Sequence, residues 1–227
     1  MSAVSLMPGL KRSPLKKIAA VLLCWSYAFA VAATLEISDE LLGQVQNKYG
    51  EAARQRIIQW QTLVRTAKDL PDQEKLQRVN EFFNQNIAFV DDILHWGVED
   101  YWATPLEALA TGAGDCEDYS IAKYFTLKEL GVDEDKMRIT YVKAYKLNQA
   151  HMVLTYFATP RAVPVVLDNL VPTIEPATKR TDLLPVYSFN GAGLWLAKAR
   201  GAGQRVGGSD RLDLWTRLKQ RMMNNPL

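Results

Sequence analysis

The chain has 227 residues, of which 48% are hydrophobic, 23% charged and 10% aromatic, a composition typical of a globular protein with one or two domains. It excludes a disordered or collagen-like chain. Lysine and arginine number 27 against 25 aspartates and glutamates, and this near balance argues against nucleic acid as the main partner. Two cysteines and two histidines are too few for a disulfide framework or a histidine-rich metal site.

The first 35 residues have the pattern of an export signal. Basic residues without any acid precede an uncharged run from Ile18 to Leu35. Two A-x-A sites, at residues 28–30 and 30–32, match the cleavage pattern of signal peptides. We therefore expect a cleaved signal peptide over residues 1–32 and no integral membrane segment afterwards. The alternative is an uncleaved anchor, because an 18-residue helix of about 27 Å nearly spans the bilayer core.

Signal cleavage leaves a mature domain over residues 33–227 with a single cysteine. Cys24 lies inside the uncharged run, and the bulky Leu23 before it argues against a lipoprotein signal. The remaining thiol, Cys116, cannot form an internal disulfide. In an oxidising compartment a lone thiol is a liability unless it is buried or required.

The first half of the mature chain has the spacing of helices, with apolar residues on one face of each segment. Ser38 is a predicted N-cap, and Thr104, Pro105 and Glu107 have the pattern of a capping box with proline at the first helical position. The polar and aromatic residues 89–101 predict a loop. The predicted helices cover residues 38–49, 52–67, 73–85, 104–110 and 115–131.

The second half has the two-residue period of strands. Strands are predicted over residues 138–145, 151–157 and 162–167 and around Tyr187 and Phe189, with turns at 148–150 and 159–161. The glycine-rich residues 191–208 predict a loop. A basic amphipathic helix over 210–223 either faces solvent or contacts an acidic partner or anionic lipid. Helices followed by antiparallel strands predict one α+β domain, with the N-terminal helices packed on an antiparallel sheet.

Three residues form a candidate catalytic set. Cys116 begins a predicted helix, where unpaired N–H groups and the helix dipole favour a thiolate. His151 begins one predicted strand and Asp168 ends the next, and such residues are neighbours in an antiparallel pair. A nucleophile, a base and an orienting acid are thereby available. The same spacing also fits a buried structural cysteine with unrelated histidine and aspartate.

Four segments resemble the bacterial transglutaminase-like cysteine proteases. They are YWATPLE at 101–107, GDCEDY at 114–119, HMVL at 151–154 and LDN at 167–169. The resemblance covers nearly the whole mature chain, and GDCEDY is its specific part. It implies a papain/transglutaminase-like core with the nucleophile at a helix N-terminus.

That resemblance also implies roles and partners. Cys116, His151 and Asp168 would be the catalytic triad of a cysteine protease, with Ca²⁺ as cofactor. The implied substrate is a large surface adhesin, cut near a pair of alanines in the periplasm to disperse a biofilm. The implied regulator is an inner-membrane receptor that binds cyclic di-GMP and sequesters the protease.

The residues give an independent reason to expect a cation. The carboxylates of Asp115, Glu117 and Asp118 flank the thiol, and negative neighbours raise a thiol pKa, which opposes its activation. Bound Ca²⁺ would cancel that charge, and oxygen ligands suit calcium. The alternative is that these acids only complement the helix N-terminus. Additional ligands are open among three more acids, Asp91, Asp92 and Asp100.

The remaining assignments are less specific. The backbone N–H of Cys116 is one expected oxyanion donor, and the indole of Trp102 is either the second donor or a core aromatic. His95 is expected to be a surface or hydrogen-bonded loop histidine, and Asn169 to cap a turn. Alternative functions are a transglutaminase or acyltransferase with the same triad, a non-catalytic calcium-dependent binding module, and a membrane-anchored interaction protein.

Overall fold

A computed structural model describes residues 37–197 and 203–224, together with Met1. The predicted signal peptide, Cys24 and residues 198–202 lie outside the described residues. The helices are α1 Asp39–Tyr49, α2 Glu51–Ala67, α3 Asp72–Asn86, α4 Asp92–His95, α5 Pro105–Thr111, α6 Cys116–Glu129 and α7 Asp213–Asn224. The strands are β1 Ala88–Phe89, β2 Ala113–Gly114, β3 Met137–Ala144, β4 Gln149–Tyr156, β5 Val165–Leu167, β6 Glu175–Pro176, β7 Leu183–Phe189, β8 Leu194–Leu196 and β9 Gln204–Gly207.

The helix boundaries follow the capping residues in the sequence. Ser38 Oγ accepts from the N–H of Leu41, and the capping box of Thr104 and Glu107 begins α5 as predicted. Gly131, at φ +80°, ends α6, since the left-handed conformation there favours glycine. The predictions for these helices are confirmed to within a few residues.

The main sheet is antiparallel throughout, with the strand order β6-β5-β4-β3-β7-β8-β9. Helix α6 packs against β3 and β4, α3 packs on α6, and α1 and α2 lie in the same helical layer. Ile121 and Leu127 of α6 are buried in one apolar core with Ile139, Leu154 and Phe189 of the sheet. The predicted α+β class is therefore confirmed.

Two predicted loops contain regular structure. Residues 89–101 include the end of β1 and all of α4, because Ala88 and Val90 donate to carbonyls of Gly112 and Gly114 in a short parallel pairing. Residues 191–208 include β8 and β9, which extend the sheet beyond β7. Both loop predictions were wrong, because such pairings are non-local and leave little periodic signal in two to four residues.

The turn before His151 also differs from the prediction. It covers Tyr145 to Asn148, and the strand already resumes at Gln149. Asn148 has φ +50°, a left-handed conformation that asparagine tolerates. His151 is consequently the third residue of β4 and pairs with Val142 of β3.

Helix α7 is amphipathic, as predicted, with Trp215 and Leu218 buried in the core. Its last turn is not simply a solvated basic face, because Arg221 donates to the carbonyl of Trp102. Among the described helices, none has the length and apolar character needed to cross a membrane.

Candidate active site

Cys116 is the first residue of α6 and lines an open cleft of about 720 Å³. Asp115 and Asp118 form a capping box just before and inside the helix, which fixes its start. Gly114 belongs to strand β2, which pairs with β1, so the backbone just before the helix is fixed by hydrogen bonds. His151 and Trp102 line the same cleft, so one recess contains the thiol, the imidazole and an indole.

His151 and Asp168 are in direct contact. His151 Nε2 and Asp168 Oδ1 are 2.8 Å apart, and both side chains are buried. Strand β5 ends at Leu167 opposite Leu154, so the chain that follows runs back along β4 toward His151. The contact with Asp168 uses Nε2 and leaves Nδ1 as the ring nitrogen available to a second partner. The antiparallel neighbourhood expected from the sequence is therefore present.

A residue that the sequence did not indicate completes this pair. Buried Arg180 donates from Nη2 to Asp168 Oδ2 at 2.7 Å and from Nε and Nη2 to Asp182 at 3.0 and 2.8 Å. Burial acts to raise the pKa of Asp168, but the bonds from His151, Leu170 N–H and Arg180 lower it to about 2. Asp168 is thereby held as a carboxylate beside the imidazole.

The thiol of Cys116 has a different partner in this structure. It donates to Glu117 Oε2 at 2.8 Å, and the hydrogen bonds among the described residues include none between Cys116 and His151. Burial, then Glu117 and Asp115, raise the pKa of Cys116 well above its ordinary value, against a lowering contribution from Met152 N–H. These acids therefore oppose thiolate formation, as the sequence predicts.

The acids near the thiol form a larger cluster than the sequence specified. Three groups each have potential ligand atoms within 4.8 Å of one another: Asp115 with Cys116 and Glu117, Asp92 with Asp100 and Glu117, and Asp92 with Asp115 and Asp118. Of the three acids left open, Asp92 and Asp100 belong to these groups. Asp91 lines the cleft but is in none of them.

The electrostatics of the cluster favour a bound cation. Burial is the main cause that raises the pKa of Asp92 to about 6, and burial also raises that of Asp115 strongly, with further contributions from Glu117 and Asp118. The Oδ1 atoms of Asp92 and Asp115 are buried without a hydrogen-bond partner among the described residues. Unpartnered carboxylate oxygens are the ligands that Ca²⁺ prefers, so these residues fit a calcium ion.

Asp118 differs from the other acids because both oxygens of its carboxylate already accept hydrogen bonds from backbone N–H groups. It is completely buried and accepts from the N–H groups of Ala103 at 2.7 Å and Asp115 at 3.3 Å. It therefore connects the start of α6 to the segment that contains Trp102. Any ligand role of Asp118 would come in addition to this bracing.

The indole of Trp102 lines the same cleft as the thiol. Its ring stacks on Phe189 at 5.5 Å between centroids, and its Nε1 is buried. Burial and Glu117 raise the pKa of Asp100. A hydrogen bond from the Trp102 N–H acts in the opposite direction, so the indole lies close to Asp100. Trp102 is thus both a core aromatic and a donor at the cleft.

Two minor predictions were wrong. His95 lies in α4 rather than a loop, and its Nε2 is buried without a partner among the described residues. Asn169 Oδ1 is likewise unpartnered, and the turn is closed by Asp168 instead, whose Oδ1 accepts from Leu170 N–H at 3.0 Å. Asp168 therefore contacts His151 and also closes the turn in which Asp168 itself lies.

An α+β domain with a thiol at a helix N-terminus, together with a strand histidine in contact with an aspartate that follows the next strand, defines the class of papain- and transglutaminase-like cysteine hydrolases. Residues 48–190 match the family described as bacterial transglutaminase-like cysteine proteinase, and the chain belongs to this family. No curated protein matches the chain.

Solved structures of LapG from Legionella pneumophila share this fold. One is 43% identical with a TM-score of 0.70 and covers 82% of this chain and 98% of its own. An EGTA-treated form is 44% identical (TM-score 0.72, 82% and 98% covered), and a calcium-bound form is 44% identical (TM-score 0.69, 82% and 99% covered). The transglutaminase-like cysteine protease fold is therefore established for this chain.

Proposed function

We propose that this protein is an exported, calcium-dependent cysteine endopeptidase with Cys116, His151 and Asp168 as its triad. The observation that carries the proposal is the 2.8 Å contact between His151 and Asp168 beside the cleft that Cys116 lines. A buried carboxylate on one imidazole nitrogen fixes the ring and stabilises its protonated form. The other nitrogen is then available to accept the thiol proton.

The first half of the proposed reaction forms a thioester. His151 Nδ1 accepts the proton of Cys116, and the thiolate attacks the carbonyl carbon of the scissile peptide. The backbone N–H of Cys116 has no intrahelical acceptor, because it is the first residue of α6, and it donates to the oxyanion. The indole N–H of Trp102, which lines the same cleft, is the proposed second donor.

The second half returns the enzyme to its starting state. The C–N bond breaks as the imidazolium of His151 gives its proton to the leaving amine. Water then attacks the thioester with His151 as base, which releases the carboxylic acid and restores the thiol. Asp168 stays ionised through both steps, since Arg180 and the N–H of Leu170 hold the charge.

The proposed calcium ligands are Asp115, Glu117, Asp92 and Asp100, with Asp118 as both brace and further ligand. A cation there would supply positive charge against the acids that now raise the pKa of Cys116. Glu117 is the critical residue, because it belongs to the acid cluster and also accepts the hydrogen bond from the Cys116 thiol. A Glu117 engaged as a ligand no longer competes with His151 for Cys116. The similarity to the calcium-bound and EGTA-treated LapG structures supports calcium as the cation.

The proposed substrate is a large surface adhesin that is cut near a pair of alanines in the periplasm, which releases it and disperses the biofilm. The proposed regulator is an inner-membrane receptor that binds cyclic di-GMP and sequesters the protease. The motif resemblance to adhesin proteases supports both, and the basic and apolar pattern of residues 1–32 supports export.

The test is cleavage of an N-terminal adhesin fragment that contains a paired-alanine site. Wild type and Cys116→Ala are each assayed with calcium and with EGTA. We expect cleavage by the wild type with calcium only and none by Cys116→Ala. An intact fragment with wild type and calcium contradicts the protease proposal, and amine incorporation in a parallel assay would then favour acyl transfer. Equal cleavage in EGTA keeps the triad and removes the calcium requirement.

A further inference from the structure

A lysine is buried in the helix that carries the nucleophile. Lys123 lies about two turns after Cys116 on α6, and only 1% of it is exposed. Its Nζ donates to Asn84 Oδ1 at 2.7 Å and lies 5.5 Å from the centre of the Tyr119 ring. A buried ammonium is costly unless it is paired, so its presence calls for a specific role.

Asn84 continues the contact from Lys123 to the proposed triad. It lies on α3, and its Nδ2 donates to the backbone carbonyl of Asp168 at 2.8 Å. One side-chain amide therefore accepts from the helix of Cys116 and donates to the residue that orients His151. This chain of two hydrogen bonds links α6 to the turn after β5 across α3.

The charges around Asp168 also give Lys123 a function beyond packing. Asp168 shares the guanidinium of Arg180 with Asp182, so one cation serves two carboxylates. Lys123 also interacts electrostatically with Asp168. Burial lowers the pKa of Lys123 to about 7, and the attraction of Asp168 acts against that decrease.

We infer that Lys123 and Asn84 are positioning residues of the proposed hydrolase, which hold the Asp168 turn at a fixed distance from the helix that carries Cys116. The inference deepens the proposed function and rests on it for the proteolytic assay. It assigns the pair no contact with substrate. The pair acts on the reaction only through Asp168 and His151.

The chain offers a matched control on the same helix. Asn80 lies one turn before Asn84, is completely buried, and donates to the carbonyl of Pro172 at 2.7 Å. It fastens the same loop four residues beyond Asp168, without a bond to Lys123. Loss of Asn80 should lower stability while the turn at Asp168 keeps its own support.

The experiment compares wild type with Lys123→Met, Asn84→Ala, the double variant, Asn84→Asp and Asn80→Ala, all with calcium. Lys123→Met keeps the volume and removes the ammonium. Asn84→Asp keeps the acceptor for Lys123 and removes the donor to Asp168. The readouts are kcat and KM on the adhesin fragment, the rate at which iodoacetamide alkylates Cys116 at one neutral pH, and the melting temperature.

We expect the single variants at Lys123 and Asn84 to lower kcat roughly tenfold or more with KM nearly unchanged, because small misplacement of a catalytic group slows the reaction steeply. Alkylation of Cys116 should slow in parallel. The double variant should be no worse than the poorer single variant, since both residues act in one chain of contacts. Asn80→Ala should melt earlier but keep kcat within about twofold of wild type.

Wild-type kcat and alkylation in Asn84→Asp would overturn the inference, and so would a loss in Asn80→Ala equal to that in Asn84→Ala. If Lys123→Met does not fold, the Asn84 variants still decide, because Asn84 is only half-buried on its helix. Should the wild type leave the adhesin fragment intact, the proposed function fails. The alkylation rates then test the positioning role separately.

Discussion

Arg180 Nη2 donates to Asp168 Oδ2 at 2.7 Å, and both side chains are almost completely buried. His151 contacts the other oxygen of the same carboxylate at 2.8 Å. Asp168 therefore stands between a permanent cation and the imidazole. Both carboxylate oxygens are thereby held in place, and Arg180 fixes the orientation of Asp168, the proposed acid of the triad.

The first prediction concerns removal of that support. Arg180→Met leaves the buried carboxylate of Asp168 and the partly exposed carboxylate of Asp182 without their shared cation. Loss of one partner of a buried ion pair costs about 3–5 kcal/mol, so we expect a decrease of this size in the free energy of unfolding, measured by urea titration. In the protein that remains folded, kcat should fall roughly tenfold to a hundredfold.

Lys179→Met is the matched control for Arg180→Met. Lys179 precedes Arg180 and is mostly exposed, and its one ion pair within the described part of the chain is with Glu175 at 3.2 Å. An exposed pair contributes at most about 1 kcal/mol, so stability and activity should stay near wild type. Equal losses in both variants would show that the loop, and not the buried cation, matters.

The second prediction is a dependence of stability on pH through Asp168. Its pKa is about 2 in the folded protein against roughly 3.9 for an unfolded aspartate. The contribution of Asp168 to stability is complete above about pH 4 and is lost as the pH falls through about 2. Wild type should therefore lose more unfolding free energy than Asp168→Asn between these values. Parallel curves from denaturant titrations would contradict the assigned pKa.

The third prediction concerns the acid cluster without calcium. The pKa of Asp92 is raised to about 6 in the folded protein, so the folded state holds the proton more tightly than the unfolded state. Stability in EGTA should therefore decrease as the pH rises from about 4 to about 6. Asp92→Asn removes the ionisable group and should flatten this decrease, followed as the melting temperature.

Calcium provides the second arm of the same experiment. A ligand that binds only the folded state stabilises it, and a cation favours the ionised carboxylates. The wild type should melt later with calcium than in EGTA, with the larger difference at the higher pH. A calcium-dependent increase that is the same for Asp92→Asn and wild type would exclude Asp92 as a ligand.

The sequence predicted the parts of the site that depend on local pattern. The helix predicted from residue 115 placed Cys116 at a helix start, and the two-residue period of neighbouring strands brought His151 near Asp168. Both inferences need only secondary structure and the antiparallel rule. The flanking acids also gave the correct direction for the pKa of Cys116.

The sequence did not reveal the parts that tertiary structure creates. Arg180 comes from a turn between β6 and β7 with no periodic signal, and it reaches Asp168 only once both loops are folded. Asp92, and not Asp91, belongs to the acid cluster because of α4, a four-residue helix in a segment predicted as loop. Lys123 had the pattern of an ordinary helix residue, and its burial follows from the contact with α3.

The fourth prediction explains the glycine before Asp115. A Cβ at Gly114 would lie 2.6 Å from Asp118 Oδ2 and 2.7 Å from Asp118 Cβ, closer than real contacts allow. Gly114→Ala must therefore displace Asp118 from the N–H of Ala103. We expect a loss of about 1–3 kcal/mol in stability, as for other overpacked cores, and at least a tenfold decrease in kcat.

Gly43→Ala provides the contrast for Gly114→Ala. Gly43 lies inside α1, and a Cβ there meets nothing within 4 Å. Alanine in a helix interior is about 1 kcal/mol more favourable than glycine, so this variant should be more stable with unchanged activity. If Gly114→Ala behaved in the same way, close contact with Asp118 would not be the reason for glycine at that position.

The fifth prediction concerns the support of Trp102 by the C-terminal helix. Arg221 of α7 donates to the carbonyl of Trp102 and lies 4.5 Å from the centre of the Tyr101 ring. Arg221→Met removes this hydrogen bond and the cation–π contact, so the segment that positions the indole N–H loses its support. We expect kcat to decrease severalfold to tenfold with a smaller change in KM, because a proposed oxyanion donor is used only in the transition state.

Arg217→Met is the control for this helix, since Arg217 lies one turn earlier and is exposed. Its removal changes the charge of α7 by the same amount without touching Trp102. If the basic face of α7 served an acidic partner or a lipid surface alone, neither variant would change kcat on a soluble fragment. A decrease that is confined to Arg221→Met assigns that arginine to the support of the active site, because charge is matched between the two variants and only the contacts of Arg221 with Trp102, Tyr101 and Glu107 differ.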